Sequence, residues 1–417
     1  MTGQGSGTVI ARRAFIVLAG ACGAIALLVS CSGGNATPSA TSTGATADVD
    51  WSSIDPVELT VSNPFAPGNV SSQLLRTWMD TATKATDGKV TFDYYESGAL
   101  HGVPESLSAL NSGLTDVTFI ASSYFPDQLP VSNWWDQLIQ GELQKLGYPG
   151  VTVAGSGQQL VQYESESAAA AEQAEAGFIS FIPLTAGPNV LTCVEEFDSV
   201  EDLEGRTVRV SGALTQGEME SMGMSGTFMP TTDQYEGLQR GVLDCAVNAP
   251  TTIVSTSLLD VTPWVSFIKS APTVASWAIS TDTWDGLAPE IQEVLTEARY
   301  DAVTGYVQDS MDEFKDLAAA VEEAGGEIID ASEFNPTIDG WWADQPELAS
   351  LAPSAVLDPE AEIDRARETM DAWWELTTGA LGVESPDDVR ESLGEGSAVV
   401  EDWGAWRDAL ADGLGEQ

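Results

Sequence analysis

Arg209 and Asn248 are polar residues placed at the ends of two short apolar runs, where they could hold a small acid. Arg209 lies between Val208 and Val210, and Asn248 directly follows the apolar run 242–247. A guanidinium can grip a carboxylate through two parallel hydrogen bonds, and an Asn amide can donate to the same ligand or accept from it. The chain has only 16 Lys and Arg residues. An arginine inside an apolar strand therefore indicates a carboxylate site, the alternative being a salt bridge within its own domain.

The elements around this pair form a βαβ pattern. A strand is predicted over 206–210, followed by an amphipathic helix, a second helix over 233–240 and the apolar run 242–247. Such a pattern predicts neighbouring parallel strands. Ligands of open α/β sheets bind beyond the carboxyl ends of the strands. We therefore expect Arg209 and Asn248 to lie close together at one edge of the sheet.

The same segment carries a family resemblance. Its successive runs are DLEGRTVRV (202–210), Met229-Pro230, YEGLQRG (235–241) and Leu243-Asp244, with Asn248 shortly after. In order and spacing these runs resemble the solute-binding proteins of tripartite ATP-independent periplasmic (TRAP) transporters. The resemblance extends over about 57–330, most of the folded chain.

The resemblance implies both a fold and a function. The fold is α/β and two-lobed, like that of periplasmic binding proteins, with an inter-lobe cleft, multiple crossovers and a long helix spanning both lobes. The helical pattern runs from 289 to about 324 and is broken only by Gly305. The implied function is to bind a small organic acid in the cleft and deliver it to TRAP-type membrane permease subunits. On this resemblance the protein is not expected to be an enzyme, and no cofactor or metal is expected.

Four further residues are candidates for ligand binding. Asn63 follows the first predicted strand, where family members often touch ligand, although a turn residue before Pro64 is an equal alternative. The hydroxyls of Ser122 and Tyr124 follow another strand and could bond the ligand, or they could simply cap the strand end. Asn189 stands where many family members have a second arginine. One basic clamp is therefore missing, which implies a different or less charged ligand.

The N-terminus is predicted to be a targeting segment rather than part of the fold. Residues 1–30 form a lipoprotein signal peptide, in which Arg12-Arg13 precede an apolar run that is short for a membrane span. The run ends in a sequence resembling a lipobox, so Cys31 would be lipidated and would anchor the protein to the outer face of the cell membrane. An uncleaved anchor or an ordinary signal is the alternative. Residues 31–50, rich in Ser, Thr, Ala and Gly, form a disordered tether.

The remaining chain is long enough for two lobes. Residues 51–183 are assigned to lobe I and 184–272 to the main part of lobe II. Residues 273–330 return to lobe I and include the long spanning helix, and 331–417 form C-terminal helices packing on the lobes.

Two cysteines, Cys193 and Cys245, remain once the signal peptide and the lipid-bearing Cys31 are set aside. An exported pair favours a disulfide, and some TRAP-binding proteins carry Cys at both corresponding places. We predict a Cys193–Cys245 disulfide, with two separately buried thiols as the alternative.

Composition excludes several other functions. A net charge of −48 repels nucleic acid, so no nucleic-acid partner is expected. His101 is the single histidine, which excludes His-rich zinc sites and leaves at most one Ser-His-Asp triad. A secreted hydrolase is disfavoured because no GxSxG elbow follows a strand. An ABC-type or sensory binding lipoprotein of the same fold stays an alternative.

Overall fold

The structure is a computed structural model of the chain, and it describes residues 49–143, 155–157, 167–310, 312–381 and 403–412. The predicted signal peptide, Cys31 and nearly all of the predicted tether lie outside these residues. The described part is built on two β-sheets, which we call lobe I and lobe II. Within it, no helix has the length and apolar character that crossing a membrane requires.

Lobe I contains a five-stranded mixed sheet. Its strands are β1 (Val57–Ser62), β2 (Val90–Tyr95), β3 (Val117–Ile120), β4 (Phe178–Thr185) and β10 (Val274–Ser280). Their order across the sheet is β2-β1-β3-β10-β4. β1 is parallel to β2 and β3, whereas β10 is antiparallel to β3 and β4. The chain therefore leaves lobe I after β4 and returns with β10, which lies between β3 and β4.

Lobe II contains a six-stranded mixed sheet. Its strands are β5 (Asn189–Cys193), β6 (Thr207–Val210), β7 (Ser225–Phe228), β8 (Cys245–Asn248), β9 (Trp264–Ser270) and β11 (Glu327–Ile329). Their order is β11-β9-β5-β8-β6-β7. The predicted parallel pairing of β6 with β8 is present, and β7, which the sequence pattern missed, is also parallel to β6. The late strand β11 pairs with β9 in lobe II, although it falls in the stretch 273–330 that was assigned to lobe I.

Helices surround both sheets. They are α1 (Val70–Ala85), α2 (Ser106–Asn111), α3 (Pro130–Leu143), α4 (Ala168–Glu175), α5 (Val200–Leu203), α6 (Ala213–Ser221), α7 (Gln234–Gln239), α8 (Pro250–Ser255), α9 (Thr281–Gly286), α10 (Pro289–Ser310), α11 (Glu313–Glu323), α12 (Asn335–Ala343), α13 (Pro359–Leu381) and α14 (Trp403–Asp412). Short 3-10 turns cover Trp51–Ser53, Val103–Glu105, Ser122–Tyr124, Leu258–Asp260, Ala331–Glu333 and Leu348–Leu351.

The packing of α1 shows how local sequence determines these elements. The Asn69 side chain caps the helix by accepting from the Ser71 backbone N–H, which satisfies one of the unpaired amides of the first turn. Leu74, Leu75 and Trp78 are buried on one face, as their helical spacing predicts. Trp78 also donates its indole N–H to the Leu295 carbonyl of α10 at 3.0 Å. These contacts fix α1 and α10 against the lobe I sheet.

The predicted long helix is interrupted. α10 packs on α1 of lobe I, and α11 packs on α8 and β11 of lobe II, so together they span both lobes as expected. The interruption lies just before α11, whose N-cap is Asp312, and not at Gly305, which lies inside α10. The Gly305 prediction was wrong because a glycine within a helix costs only about 1 kcal/mol, which tertiary packing overrides.

The C-terminal helices contact both lobes. α12 packs on α6 and β9, α13 packs on α3, and α14 packs on α10. Trp406 of α14 is fully buried against Trp373 of α13 with ring centroids 5.8 Å apart. Within the described residues, the C-terminal helices therefore pack on elements of both lobes.

The predicted disulfide is present. Cys193 and Cys245 are direct partners across the antiparallel strands β5 and β8, and their sulfurs are bonded. Both side chains are fully buried in the core of lobe II. The bond therefore fixes the register of β8, the strand that ends in Asn248.

The return crossing to lobe I, around residue 271, is held by buried side chains. Glu218 of α6 accepts from the Ser270 hydroxyl at 2.5 Å, from the Ala271 backbone N–H at 2.9 Å and from the Trp342 indole at 2.8 Å. The Asn189 amide donates to the Ala271 carbonyl at 2.5 Å. Burial raises the pKa of Glu218 to about 7, although its three donors favour the charged form.

This pKa predicts a pH-dependent stability that depends on Glu218. The pKa of Glu218 in the folded state is raised above the ordinary value of 4.5. Its contribution to the free energy of unfolding is therefore fully present below pH 4.5 and is lost as the pH rises through about 7. Glu218→Gln keeps an amide oxygen that can accept from Ala271 and Trp342, and it does not titrate. The difference in unfolding free energy, variant minus wild type, should therefore increase by about 3 kcal/mol as the pH rises from 4.5 to about 8.

Urea unfolding at a series of pH values measures this difference. Glu220→Gln on the same helix is the control, because Glu220 is exposed and the chemical change is identical. A difference between Glu218→Gln and wild type that does not vary with pH would contradict the prediction.

Candidate ligand-binding site

A cavity with a volume of about 120 Å³ lies between the two lobes. Its walls come from loops after strands of both sheets, from α3 and from the start of α6. About half of the described residues that line it carry hydroxyl or amide groups, and Arg209 and Asp136 are the charged residues among these described lining residues. The cavity therefore suits a small polar ligand with charge.

Arg209 is buried and held from lobe II. Its Nε donates to the Met229 carbonyl at 2.9 Å, and its Nη1 donates to the Val247 carbonyl at 3.1 Å and to Asn248 Oδ1 at 2.9 Å. Nη2 has one long contact, to the Thr231 hydroxyl at 3.5 Å. Three bonds therefore fix the plane of the guanidinium and leave Nη2 with donor capacity at the cavity.

The charge of Arg209 has no acidic partner in the part of the chain that the structure describes. The ion pairs found there involve other arginines. Burial lowers the pKa of Arg209, and the nearby Tyr124 phenol acts in the opposite direction. An arginine stays protonated in proteins despite such a shift. The site therefore contains a desolvated positive charge that an anionic ligand would neutralise.

Asn248 orients Arg209. Its Oδ1 accepts from Arg209, and its Nδ2 donates to Gln234 Oε1 at 3.0 Å. The two residues meet because β6 and β8 are parallel neighbours and both end at this edge of the lobe II sheet. The proximity predicted from the βαβ pattern is therefore observed.

The structure places the other candidate residues differently. Ser122 and Tyr124 line the cavity from lobe I, and the Ser122 hydroxyl donates to the carboxylate of Asp136. Asn189 also lines it, but its amide donates to the Ala271 carbonyl in the crossing between β9 and β10. In this structure Asn189 therefore holds the backbone of the crossing.

Asn63 does not line the cavity. It is fully buried, its amide donates to the Ser72 hydroxyl and the Tyr94 phenol at 2.8 Å each, and its Oδ1 accepts from the Phe65 backbone N–H at 2.9 Å. These bonds agree with the alternative interpretation of Asn63, a turn residue before Pro64, and not with ligand contact. The neighbouring Pro64 and Phe65 line the cavity instead.

A polar face of α3 lines the cavity and was missed by sequence reasoning. The residues at spacing i, i+3, i+4 and i+7 that form it are Asn133, Asp136, Gln137 and Gln140. The other face of the helix is apolar and buried, with Trp134, Trp135 and Leu138 in its core. The signal was available as a polar stripe within a Trp-rich helix.

His101 lies beside the cavity and is not among the described residues that line it. The His101 ring contacts the Gly102 carbonyl at 2.9 Å and the Thr118 hydroxyl at 3.4 Å, in the loop beside the cavity. Among the residues that the structure describes, no group of three or more His, Cys, Asp or Glu side chains could hold a metal ion.

The two lobes meet closely around the cavity. The rings of Tyr124 in lobe I and Phe228 in lobe II are in edge contact, with centroids 4.7 Å apart. The Val70 backbone N–H donates to the Thr251 hydroxyl across the lobes at 3.2 Å. A Cβ added to Gly212 would lie 3.2 Å from the Ser123 Cβ. The structure therefore represents a closed arrangement of the lobes.

Comparison with known proteins identifies relatives of this chain. Residues 158–337, which include Arg209, Asn248 and the disulfide, match the family model for bacterial extracellular solute-binding protein, family 7. A solute-binding protein from Albidiferax ferrireducens is 21% identical over 299 residues, covering 68% of this chain and 82% of that protein.

Solved structures share the fold. A TRAP periplasmic solute-binding protein from Sulfitobacter sp. NAS-14.1, with bound β-D-galacturonate, has a TM-score of 0.57 and 20% identity, and the match covers 78% of this chain and 100% of that one. A TRAP periplasmic solute-binding protein from Pseudomonas aeruginosa PAO1, with bound L-malate, has a TM-score of 0.59 and 13% identity, covering 70% and 100%. The predicted two-lobed fold is confirmed.

The contact between Gly212 and Ser123 predicts a closure mutant. The backbone of Gly212 is extended, so Gly212→Ala is tolerated locally, but its methyl group would press on Ser123 only when the lobes are closed. We expect a loss of about 1 kcal/mol of ligand affinity, roughly fivefold. Calorimetry with the acid that most raises the melting temperature in a carboxylate panel measures it.

The control is the double variant Gly212→Ala with Ser123→Gly, which removes the opposing Cβ and should restore affinity. Ser123→Gly alone reports any effect of the lost hydroxyl. Equal affinity in wild type and Gly212→Ala would show that this contact does not limit closure.

Proposed function

We propose that this protein is the extracytoplasmic solute-binding protein of a TRAP-type transporter, which binds a small organic acid between its lobes and delivers it to the membrane permease subunits. Its role is binding and not catalysis. The proposal is supported by the family 7 match, by the shared fold and by the geometry of the cavity. The TRAP relatives favour this assignment over an ABC-type or sensory lipoprotein.

One observation carries the proposal: the buried guanidinium of Arg209 reaches the cavity with no acidic partner among the described residues. A desolvated charge is costly unless it is paired. A ligand carboxylate would supply the missing partner. The relatives from Sulfitobacter and Pseudomonas aeruginosa hold galacturonate and malate, and both ligands are carboxylates.

Other groups of lobe II would assist Arg209. The first turn of α6, at Ala213, Leu214 and Thr215, also lines the cavity, and its N-cap Gly212 provides no side-chain cap. The first backbone N–H groups of a helix carry partial positive charge and favour an anion. Arg209 and this turn together form one positive pole of the site.

Lobe closure would couple binding to delivery. A ligand that contacts Arg209 on one lobe and the loop of Ser122 and Tyr124 on the other stabilises the closed arrangement over the open one. The crossings between the sheets would serve as the hinge. The permease would then bind the closed, loaded form.

We further propose that the protein is exported and anchored by a lipid on Cys31, with residues 31–50 as a tether. The support is the arrangement of the N-terminal sequence, in which basic residues, an apolar run and Cys31 follow one another. The anchor would hold the folded lobes near the membrane and leave them free to meet the permease.

The first test is the effect of Arg209→Ala on binding. Removing Arg209 leaves the ligand carboxylate unpaired in the closed cavity, so we expect a loss of about 3–5 kcal/mol, more than about a hundredfold in affinity. Arg209→Lys keeps the charge but loses the planar guanidinium, so its ligand affinity should lie between those of the wild type and Arg209→Ala. Thermal shift against mono- and dicarboxylates, keto acids and sugar acids identifies ligands, and calorimetry gives their affinity.

Arg206→Ala is the matched control. Arg206 lies just before β6, donates to the Glu195 and Glu196 carbonyls at 2.8 and 2.7 Å, and does not line the cavity. Its loss should leave affinity unchanged. Wild-type affinity in Arg209→Ala, or no stabilisation of the wild type by any carboxylate, would contradict the proposed function.

A second test concerns the anchor. Cys31→Ser should move the protein from the membrane fraction to the soluble fraction and abolish incorporation of labelled fatty acid, because serine cannot form the thioether. Cys22→Ser, inside the predicted signal peptide, is the control and should stay with the membrane. A Cys31→Ser protein that remains in the membrane fraction would indicate an uncleaved anchor.

A further inference from the structure

The chain passes between the lobes once more after β11. Phe334 and Ile338, before and within α12, are fully buried in the core of lobe II. Beyond α12, the Leu348 carbonyl accepts from the Trp134 indole of α3 in lobe I at 2.9 Å. The short stretch 344–347 therefore crosses from lobe II to lobe I.

The part of the chain after this crossing backs the cavity wall that α3 forms. The polar face of α3 lines the cavity, and α13 packs on the same helix. Arg367 of α13 also pairs with Glu142 of α3 at 2.9 Å. We call residues 335–370 the C-terminal strap, because they are anchored in lobe II at one end and on α3 of lobe I at the other. The buried strap residues that share one cluster with the apolar face of α3 are Val356, Ile363, Ala366 and Met370.

Trp342 contacts both lobes within the strap. Its indole N–H donates to Glu218 of α6 at 2.8 Å, which orients the ring. On the lobe I side, a Cβ added to Gly141 of α3 would lie 3.1 Å from the ring, so the ring packs closely on the α3 backbone. Next to Gly141, the Gln140 amide donates at 2.7 Å to the Pro272 carbonyl in the crossing between β9 and β10. The strap therefore meets α3, α6 and that crossing at one place.

This position of Trp342 opposes separation of the cavity walls. α3 and the start of α6 line the cavity from opposite lobes, so opening the cavity must increase the distance between them. The ring of Trp342 packs on α3 and is hydrogen-bonded to α6. A contact that forms only while the walls are close favours the closed arrangement, because it is lost on opening.

We propose that the C-terminal strap stabilises the closed arrangement of the lobes, with Trp342 as the positioning residue that holds α3 against α6. Trp342 and the rest of the strap beyond it lie outside residues 158–337, which match the family model. The inference rests on the proposed function in one respect, because it takes lobe closure to be coupled to ligand binding.

The distance between two spin labels on the ligand-free protein measures opening directly. Thr91→Cys on β2 and Ser225→Cys on β7 provide exposed labelling positions. β2 and β7 are the edge strands farthest from the strands that cross between the lobes, so they should move apart most on opening. With Cys22→Ser and Cys31→Ser in the background, the labels attach only at these positions, because the two remaining native cysteines form the disulfide.

Trp342→Leu removes the ring contact with Gly141 and the N–H that Glu218 accepts. We expect a longer label distance in the ligand-free variant than in the ligand-free wild type. Saturation with the acid that most raises the melting temperature in the carboxylate panel should restore the wild-type distance, because a ligand that bridges the lobes also favours closure. Calorimetry with the same acid should show an affinity weaker by roughly fivefold.

Trp264→Leu is the matched control. Trp264, like Trp342, is a partly buried tryptophan packed on the core of lobe II. It lies at the start of β9, whereas the crossing to lobe I follows the end of that strand. Its replacement should lower the free energy of unfolding without lengthening the label distance.

Gly141→Ala tests the same contact from lobe I. The added methyl group would press on the ring of Trp342, whereas alanine is favoured over glycine within a helix. The variant should therefore lengthen the label distance without weakening α3. It decides the test if Trp342→Leu does not fold.

The possible outcomes separate the two proposals. A wild-type label distance in both Trp342→Leu and Gly141→Ala overturns the role of the strap. An equal lengthening in Trp264→Leu also overturns it, because the effect would then be a general loss of stability. Absence of carboxylate binding by the wild type overturns the proposed function, whereas the distances in the ligand-free protein still decide the role of the strap.

Discussion

The unpaired positive charge of Arg209 is the constraint on which the site depends. Burying this charge costs free energy, and hydrogen bonds lower that cost. The carbonyls of Met229 and Val247 and the side-chain oxygen of Asn248 accept from the guanidinium. These neutral acceptors fix the group but do not cancel its charge. The guanidinium is therefore already oriented before a ligand arrives, and binding spends little free energy on ordering it.

The rest of lobe II keeps those acceptors in place. The disulfide between Cys193 and Cys245 fixes β8 against β5, and β8 supplies both Val247 and Asn248. From the same sheet the chain crosses to lobe I near Ala271, where Glu218 and Asn189 hold its backbone. Arg209 and the crossing are thus parts of one packed unit. Under the proposed function, motion of lobe I around that unit would open the cavity without disturbing Arg209.

The sequence predicted the parts of the structure that follow from local pattern. The βαβ pattern placed Arg209 beside Asn248 because neighbouring parallel strands end at one edge of a sheet. It could not place Asp136, because the distance between α3 and lobe II depends on how the two sheets pack. The partners of Asn63 could not be predicted for the same reason. Its position after β1 was predicted correctly, but its hydrogen bonds to Ser72 and Tyr94 depend on tertiary packing. The strand assignment of β11 to lobe II likewise depends on a long-range pairing.

A net charge of −48 raises the question of how such a protein attracts an anion. Exposed acidic groups act on an approaching ligand through water and salt, and their field decays over about 8 Å at physiological ionic strength. Arg209 acts inside a cavity from which most water is excluded, where charges interact more strongly. The surface charge therefore affects mainly the rate of encounter and its salt dependence. Under the proposed function, affinity would depend on the charges inside the cavity, so the sign of the whole protein does not conflict with the sign of its site.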